Sequence, residues 1–600
     1  MFDVRPWLKS AVLAALLTFP LLFFLSKTAQ SPDGAEMLVT ARVGGVLHPS
    51  GMPLQAWAQY LLVHSLEFPQ GYTLSVVSWV GMGLTCFLLI LTLVELQLPM
   101  VGVLGAGVML VYHPVVSYMA VIPEKYTWLM ATQMFFIYLL LRGSHGLWLG
   151  LALALALAQH SANVILLPPF FYSIFRSQQP QRIKWGAVLL AGLVTFGFYV
   201  SLLGIRGNNF WPDWGHLENL SDVWRHMTRQ DYGVLRLSNR DDYSVRSALP
   251  VLWQNLVSWS CAFLWVPLGV WYWTRLRSQW VPFAYTIMIL FPALAVLAKA
   301  EMPAGSDAIA LGYQERYPIL VWTLVSLYSG WGLACAWTWL NATRATRGGA
   351  WTQNLGSVGL LILLLVTMGM YVARAGHFLR FANHRVLEVY QEQANFELQM
   401  PTLFWTSSDF IGFAGIPVNI GRAFPAKNMI GMPWYREGVL KIMAPAMYKA
   451  ITGPNPPDGV PALFRQVLQV GQRLTVTEPS QVLGEPDLMT MAEQTGVLWN
   501  FKSDQKQLYT DRLLKNTSHL CDLMDGLAMG LPADGSYFLH ELMMSFHYAF
   551  RSAHDHLQSL GEVEASTAAQ EIAESLLPGH EEPGWLKPCG DFRAALVRFH

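Results

Sequence analysis

The sequence predicts an α-helical protein that crosses a membrane many times and carries a separate domain in its C-terminal third. Hydrophobic residues make up 53% of the 600 residues and charged residues only 13%, which is about half the charged share of a soluble protein. Long apolar segments follow one another as far as residue 373, and charged residues become frequent after it. Lys and Arg also concentrate in alternate connections between the apolar segments.

The apolar segments set the number of predicted crossings. A helix needs roughly 20 apolar residues to cross the hydrocarbon layer. The fourth, fifth and sixth segments are shorter than this, and the last two of these are also compatible with one broken helix. No small-residue cleavage site follows the first segment, so we expect a retained anchor rather than a signal peptide. The segments lie at 8–26, 73–94, 99–120, 126–141, 146–159, 164–175, 185–204, 248–273, 280–298, 317–340 and 353–373.

Basic residues orient these crossings, because Lys and Arg concentrate on the cytoplasmic side of a membrane protein. With the N-terminus in the cytoplasm, only Asp3 and Glu95 oppose the basic residues of the inner connections. Those basic residues are Arg5, Lys9, Arg142, Arg176, Arg182, Lys184, Arg275, Arg277, Arg344 and Arg347. We therefore predict eleven crossings in a transmembrane domain, residues 1–373, with long outer connections at 27–72, 205–247 and 299–316.

Residues 374–600 are then predicted to form an extracytoplasmic domain. The stretches 401–409 and 473–483 have the pattern of strands that end in turns, and residues 508–577 have a helical pattern. A mixed α/β piece followed by a helical piece is expected. The zero formal net charge gives no indication of a nucleic-acid partner, and five Cys are too few for a disulfide scaffold.

The first outer connection contains the most unusual local sequence, "SPDGAEMLVTARVGGVLHPSGMPL". One interpretation is purely structural. Asp33 would cap a helix over 34–43 with Glu36 at the third helical position, and Gly44-Gly45 would end it. Pro53 would then begin a second helix that continues to His64. The other interpretation is catalytic, and it gains weight from the remaining outer connections.

Polar and aromatic residues occur at four further outer positions. Each one alone is explained by anchoring at the membrane interface or by helix capping. Together they place acids, bases, His and aromatic rings on one side of the membrane, where a membrane-embedded active site would lie. These residues are Glu124, Lys125 and Tyr126 after the third segment, His160 and Asn163 after the fifth, Arg229 and Tyr232 after the seventh, and Arg316 after the ninth.

At several of these positions the sequence resembles a family of polytopic membrane proteins long filed as a domain of unknown function. Its animal relatives are protein O-mannosyltransferases, and it belongs to the GT-C class of membrane glycosyltransferases. The family pattern of Asp, two small residues and Glu, then His-Pro-Pro-Gly before Pro-Leu, is matched except at Ser50, which replaces the second Pro. The matching residues are Asp33, Glu36, His48, Pro49, Gly51, Pro53 and Leu54.

Three shorter stretches resemble family elements as well. "IPEKYTW" is similar to a Glu-Val-Tyr stretch, with Lys125 in place of Val. "ALAQHSANVILLPP" is similar to a Gly-Asn-His passage, with Gln159 where Asn is usual, and "HMTRQDYG" is similar to a Thr-Arg-x-x-Tyr-Gly element. The resemblance covers residues 8–240 by motif and 241–373 by topology, and residues 374–600 share only a faint likeness at "LFWTSSD".

The resemblance implies a GT-C fold and transfer of a hexose, such as mannose, from a polyprenyl-phosphate donor to a hydroxyl outside the membrane. The acceptor is expected to be a protein Ser or Thr, or a glycan. A lipid phosphate needs no general acid to leave, whereas the acceptor hydroxyl must lose a proton, which a carboxylate can take. Asp33 is the first candidate for this base and Glu36 the second, and a single displacement would invert the anomeric centre.

Cations on the outer side would bind the donor phosphate. Arg229 and Arg316 suit a bidentate contact and Lys125 a point charge, while His48 or His160 would add a hydrogen bond. Either Arg would otherwise serve as an interface anchor or as part of an ion pair. Glu124, Tyr126, Asn163 and Tyr232 complete the predicted substrate-binding set.

No metal cofactor is expected, although Asp33, Glu36 and His48 have side chains that could hold a divalent cation. The short inner connections are typical of a bacterial plasma-membrane protein, which is the expected location. One alternative is a transporter or flippase, which would need ionisable groups within the bilayer and paired broken helices; the sequence shows neither. A second alternative is a non-catalytic scaffold, which would leave Asp33 unexplained.

Overall fold

The structure is a computed structural model in which the chain forms two compact units. The first comprises Met1–Lys27, Thr40–Gly207 and Pro212–Asn383, and the second comprises Thr28–Val39, Asn208–Trp211 and His384–His600. The residues described are 4–27, 32–43, 45–48, 52–66, 70–205, 217–230, 265–275, 286–288, 290, 319–346, 350–379, 403–405, 462, 464–465, 468–469, 474–476, 486–489, 492–495, 498–501, 547, 550–551, 554–555, 557–559, 561 and 563–575.

Helices make up the described part of the first unit. Two short 3-10 helices, Phe19–Phe24 and Ser161–Leu166, accompany them. The helices are α1 Val4–Thr18, α2 Pro32–Val43, α3 Pro53–Ser65, α4 Gln70–Glu95, α5 Met100–Val111, α6 Pro114–Val121, α7 Tyr126–Leu141, α8 Gly146–Gln159, α9 Leu167–Arg176, α10 Gln181–Ile205, α11 Leu220–Met227, α12 Trp265–Arg275, α13 Ile319–Thr346 and α14 Ala350–Leu379. Helix α2 runs across the division between the two units.

The core of the first unit forms around α4, which packs against α1, α5 and α7. Helix α8 joins α7 to α10, and α13 packs on α5 and α12. Small residues allow two of these approaches, as in other membrane helix pairs. A Cβ added at Gly102 would collide with the carbonyl oxygen of Gly330, and one at Gly150 would collide with that of Ala187. Any larger residue at these two glycines would push the helices apart.

Several predicted segments coincide with helices. The segments 126–141 and 146–159 are α7 and α8, and Pro53 begins α3 as expected. The sixth segment follows α8 through the 3-10 helix Ser161–Leu166 and α9. The predicted segment 280–298 lies almost wholly outside the described residues, as does most of 248–273.

The third segment is not one helix, which corrects the expectation for 99–120. Helices α5 and α6 meet at His113 with a bend of 64°. Pro114 explains the break, because it cannot continue a helix and disfavours helical backbone in the residue before it. His113 accordingly has extended backbone angles of φ −61° and ψ 126°. Its ring is buried and lies 3.9 Å from the Trp322 ring, between centroids.

Apolar length confirms an integral membrane protein but not the predicted number of crossings. Among the described residues, three helical stretches are long and apolar enough to span a bilayer: Arg5–Phe24, Gly71–Glu95 and Gln181–Ile205. The bent pair α5 and α6 would make a fourth if it forms one span. The count of eleven and the orientation stay predictions.

The first outer connection folds into two helices, with one change from the capping interpretation. Helix α2 begins at Pro32 and ends at Val43, so Asp33 is the second helical residue and not the residue that precedes the helix. Pro32 suits the first helical position because its fixed φ is helical and its missing N–H would have no partner there. Gly45, with φ 140°, turns the chain after α2, and its N–H donates to the Ile205 carbonyl at 2.7 Å.

The described part of the second unit contains a four-stranded sheet in the order β1, β2, β4, β3. Its strands are β1 Leu403–Trp405, β2 Leu474–Val476, β3 Ala492–Thr495 and β4 Leu498–Phe501. Strands β1 and β2 are parallel and pair Leu403 with Leu474, whereas the other pairs are antiparallel. These two parallel strands fall within the stretches that the sequence marks as strands, and two helices, α15 Pro486–Met489 and α16 Val563–Ser575, complete the described elements.

Candidate functional site

Three turns of the first unit bring polar side chains together. The first precedes α3 and contains His48, the second joins α6 to α7 and contains Glu124 and Lys125, and the third ends α8 at Gln159. The α6–α7 turn arises because Pro123 follows the extended residue Ile122, and helix resumes at Tyr126. Helices α3, α7 and α8 pack within the same unit, which places these turns beside one another.

The centre of this cluster is a contact between a lysine and a histidine. Lys125 Nζ lies 3.3 Å from His48 Nε2, and the Lys125 residue is only 4% exposed. A protonated lysine has no acceptor lone pair, so His48 accepts through Nε2 when Lys125 is charged. The ammonium also lies 5.6 Å from the centroid of the Tyr126 ring, within range of a cation–π interaction. Residues predicted from two separate motifs, His48 from one and Lys125 and Tyr126 from the other, therefore form one cluster around the Lys125 amino group.

The main chain around Lys125 is fixed by buried polar side chains. Glu124 Oε2 accepts the Lys125 N–H at 3.2 Å, and the Glu124 N–H donates to Ser78 Oγ at 3.0 Å. The Glu124 carbonyl accepts from Ser78 Oγ at 3.0 Å and from Gln55 Nε2 at 3.1 Å. Glu124 is wholly buried, and its carboxylate lies at the N-terminus of α7, where the helix dipole favours an anion.

His160 and Asn163 shape the third turn rather than the lysine contact. The His160 ring accepts the N–H of Ala162 at 3.0 Å through Nδ1, which caps the 3-10 helix Ser161–Leu166. Asn163 is buried and donates from Nδ2 to the Ala156 carbonyl at 2.7 Å and to Thr132 Oγ1 at 3.4 Å. Asn163 thus ties the end of α8 to α7, so both residues have structural partners in addition to their predicted substrate role.

Asp33 and Glu36 lie three residues apart near the start of α2, on one face of that helix. Glu36 is buried and Asp33 is half-buried. The first turn of a helix is a favourable environment for carboxylates. Two carboxylates on one face can divide the roles of base and hydrogen-bond acceptor.

Arg229 occupies another element, one residue beyond the C-cap Thr228 of α11. Its backbone is left-handed with φ 55°, and its N–H donates to the His226 carbonyl at 3.1 Å. Tyr232 and Arg316, which the sequence also places in the donor site, lie outside the described residues.

Two buried glutamines at the cluster were not among the predicted site residues. Gln159 Nε2 donates to Gln55 Oε1 at 2.7 Å and to the Lys125 carbonyl at 3.5 Å. Both glutamines are buried. A signal was present in "PLQAWAQY", where Gln55 and Gln59 lie one helical turn apart on α3 and are both buried. Polar residues repeated on one face of an otherwise apolar helix indicate a buried polar surface.

Comparisons with known proteins complete the description. No protein-family model matches the chain, and no curated protein sequence matches it; membership of the O-mannosyltransferase-like family stays a prediction. Among solved structures, the chain is similar to ArnT from Cupriavidus metallidurans bound to undecaprenyl phosphate, with 13% identity over 81% of this chain and 95% of that chain and a TM-score of 0.49. Against ArnT in the apo state, the identity is 12% over 82% and 96% of the two chains, with a TM-score of 0.46. Both scores are below 0.5, so the functional proposal rests on the side chains of this chain.

Proposed function

We propose that this chain is a membrane glycosyltransferase of the GT-C class that moves a hexose from a polyprenyl-phosphate donor to a hydroxyl acceptor. The observation that carries the proposal is the buried contact between Lys125 and His48. A lysine in an apolar protein is costly to bury, and a lysine next to an imidazole offers several hydrogen-bond donors to an incoming anion. A lipid phosphate at a membrane is an anion of the required kind.

In this proposal Lys125 and His48 bind the donor phosphate. Charge–charge attraction is stronger where water is excluded, so the buried ammonium stabilises the phosphate more than an exposed lysine would. The phosphate gains negative charge as its bond to the sugar breaks, and the ammonium then stabilises the transition state. Arg229 and Arg316 remain proposed as additional phosphate ligands, and the other sequence-predicted residues as substrate contacts.

Asp33 is the proposed general base, with Glu36 as second candidate. The support is the matched motif together with the placement of both carboxylates on one face of α2. Asp33 would take the proton of the acceptor hydroxyl while its oxygen attacks the anomeric carbon, and the carbon–phosphate-oxygen bond breaks on the opposite face. A mannose-like sugar, a protein Ser or Thr acceptor, an extracytoplasmic site and a bacterial inner membrane complete the proposal. No metal is assigned a step.

The test is transfer of labelled hexose from a polyprenyl-phosphate donor by purified protein in lipid vesicles. Lys125→Gln removes the positive charge and keeps a polar side chain that is one atom shorter. A hydrogen bond to a charged group contributes about 1.5–3 kcal/mol, so we expect donor affinity to fall by roughly 10- to 150-fold. Wild-type affinity in this variant would refute the phosphate assignment.

Lys184→Gln is the matched control. Lys184 is also buried, and its Nζ donates to the Phe175 carbonyl at 3.1 Å. It lies near the start of α10, on the side that the basic residues predict to be cytoplasmic. We expect this variant to bind the donor like the wild type, so a shared loss would indicate damage to the fold rather than to a phosphate site.

One observation favours a second function. The bent pair α5 and α6, with buried His113 at the break, is one broken helix with an ionisable residue inside an apolar segment, and transporters use two such helices in corresponding positions. A flippase would move the labelled lipid across the vesicle membrane and leave the bond between sugar and phosphate intact. Cleavage of that bond in the presence of acceptor separates the two functions.

A further inference from the structure

The polar residues around the α6–α7 turn include three that no motif assigns to the chemistry. They come from three helices: Gln55 from α3, Ser78 from α4 and Gln159 from α8. All three are buried, and all three direct hydrogen bonds to the main chain of Glu124 or Lys125. We refer to Gln55 and Gln159 together as the glutamine pair.

The glutamine pair forms a chain of donors and acceptors. Gln159 Nε2 donates to Gln55 Oε1 at 2.7 Å, and Gln55 Nε2 in turn donates to the Glu124 carbonyl at 3.1 Å. The second N–H of Gln159 points to the Lys125 carbonyl at 3.5 Å. Because the Gln55 carbonyl oxygen is occupied by Gln159, the Gln55 amide is oriented with its NH2 group towards Glu124.

This arrangement has a cost that packing alone does not explain. A buried amide lowers the stability of the fold unless it is hydrogen-bonded, whereas leucine has a similar volume and no polar atoms to satisfy. The amides converge on the only two residues of the α6–α7 turn that are ionisable, Glu124 and Lys125. The Lys125 side chain leaves this fixed main chain to reach His48 at 3.3 Å.

We propose that Gln55 and Gln159 are positioning residues that hold the Lys125 amino group against His48. The inference rests on the proposed function only in so far as Lys125 binds the donor phosphate. It goes beyond that function because it assigns roles to two residues outside the substrate contacts. Displacement of a binding group by about 1 Å can reduce the rate about 100-fold. Residues that hold Lys125 in place would therefore preserve activity.

The first test measures the position of Lys125 without any assay of transfer. The purified protein in lipid vesicles is treated with an amine-reactive reagent, and labelling at each lysine is quantified by mass spectrometry. In Gln55→Leu and Gln159→Leu, we expect labelling of Lys125 to rise several-fold, because the turn can then move and expose the amine. Labelling of Lys184 in the same samples should stay constant.

Gln133→Leu is the matched control. Gln133 is a buried glutamine in the middle of α7, and neither polar atom of its side chain has a hydrogen-bond partner in the part of the chain that the structure describes. Its replacement should leave Lys125 labelling at the wild-type level. Unchanged labelling in both pair variants would overturn the inference, and so would an equal rise in Gln133→Leu.

The double variant Gln55→Leu with Gln159→Leu tests whether the two residues act as one unit. Residues of one hydrogen-bond network give non-additive effects. We expect the double variant to label Lys125 no faster than the faster single variant. If the rise in Lys125 labelling in the double variant equals the product of the two single rises, the residues act separately. That result would overturn the inference that they act as one unit.

The last test uses donor kinetics in the same variants. Loss of phosphate positioning should raise KM for the polyprenyl-phosphate sugar about tenfold or more with a smaller change in kcat, since binding is what Lys125 provides. A merely structural role would lower the amount of active protein and hence kcat, with KM unchanged, and that result would overturn the inference. Absence of transfer by the wild type would instead refute the proposed function, and the labelling result would still decide whether the pair holds Lys125.

Discussion

At its N-terminal end α7 follows the buried Lys125, and side-chain amides of α3 and α8 donate to the main chain of Glu124 and Lys125. At its C-terminal end Tyr138 contacts two charged residues that water can reach. Tyr138 donates to Glu95 Oε1 at 3.0 Å and accepts from Arg142 at 2.7 Å. The Arg142 and Glu95 side chains, 3.9 Å apart, are 38% and 26% exposed. Both ends thus join α7 to neighbouring elements through polar groups.

The polar groups at the two ends of α7 differ in their exposure to water. At the C-terminal end, partly exposed charges gain little from each other, and Trp7 packs edge-on against the Tyr138 ring with centroids 6.4 Å apart. This is an anchor of the kind that membrane proteins place at an interface. At the N-terminal end the polar groups are removed from water, where most polar groups are hydrogen-bonded to specific partners. The buried end is the one that the proposed function uses for donor binding.

The largest expected effect concerns which side of the membrane each end of α7 faces. The basic residues predict that Arg142 faces the cytoplasm and that the chain after Arg380 lies outside. Alkaline phosphatase fused after Arg380 should be active, and the same enzyme fused after Arg142 should be inactive. The reverse pattern would place the buried cluster on the cytoplasmic side and would contradict an extracytoplasmic reaction.

The next effect compares two carboxylates, Asp33 and Glu95. Asp33→Asn removes the proposed base with almost no change in size, so transfer should fall by roughly 10²–10⁴ while thermal stability stays near that of the wild type. Glu95→Gln, a control in the charged cluster at the C-terminal end of α7, should transfer sugar at the wild-type rate. Transfer by Asp33→Asn within a few-fold of wild type would leave Asp33 only its place in α2, and Glu36 or Glu124 would become the candidate base.

A smaller effect is expected from Tyr138→Phe, which removes the two hydrogen bonds at the anchoring end. Each such bond contributes about 0.5–1.5 kcal/mol, so we expect a lower unfolding temperature with unchanged donor KM. Thermal unfolding in lipid vesicles and donor kinetics provide the two measurements. A rise in donor KM would show that the two ends of α7 are coupled and would break the distinction between them.

The smallest effect concerns an exposed ion pair of the second unit, where solvent screens the charges. Arg465 donates to both carboxylate oxygens of Asp487, at 2.7 and 2.8 Å, and these bonds lower the pKa of Asp487 to about 2 from its ordinary value of 3.8. Because the folded-state pKa is depressed, the pair stabilises the fold above the ordinary value and loses this contribution as the pH falls through about 2.

Asp487→Asn tests this pH dependence. The variant should unfold at a slightly lower temperature than the wild type at pH 6, and the difference should shrink below pH 4 and vanish near pH 2. Reversible unfolding of the full chain, followed by circular dichroism at each pH, is the measurement. A difference that is constant from pH 6 to pH 2 would show that the pair contributes no charge-dependent stability.

The sequence predicted the parts of the fold that depend on local patterns. The bounds of α7 and α8 were predicted because an uninterrupted apolar run sets the length of a helix and polar turns end it. Pro53 fixed the start of α3 for an equally local reason. Pro114 is an equally local signal, because a proline inside a helix breaks it. The apolar residues around Pro114 led to the prediction of one uninterrupted segment instead.

Only the tertiary structure decided which polar residues form the buried cluster before α7. His48 and Lys125 are 77 residues apart in the chain, and Gln55 and Gln159 are 104 residues apart. The motifs predicted that His48 and Lys125 bind the donor. Ionisable groups within or beside a membrane are costly and are often functional. No local pattern could pair the two glutamines, because a buried amide requires a partner but does not specify which one. Helix packing made that choice by bringing α3, α4 and α8 to the same turn before α7.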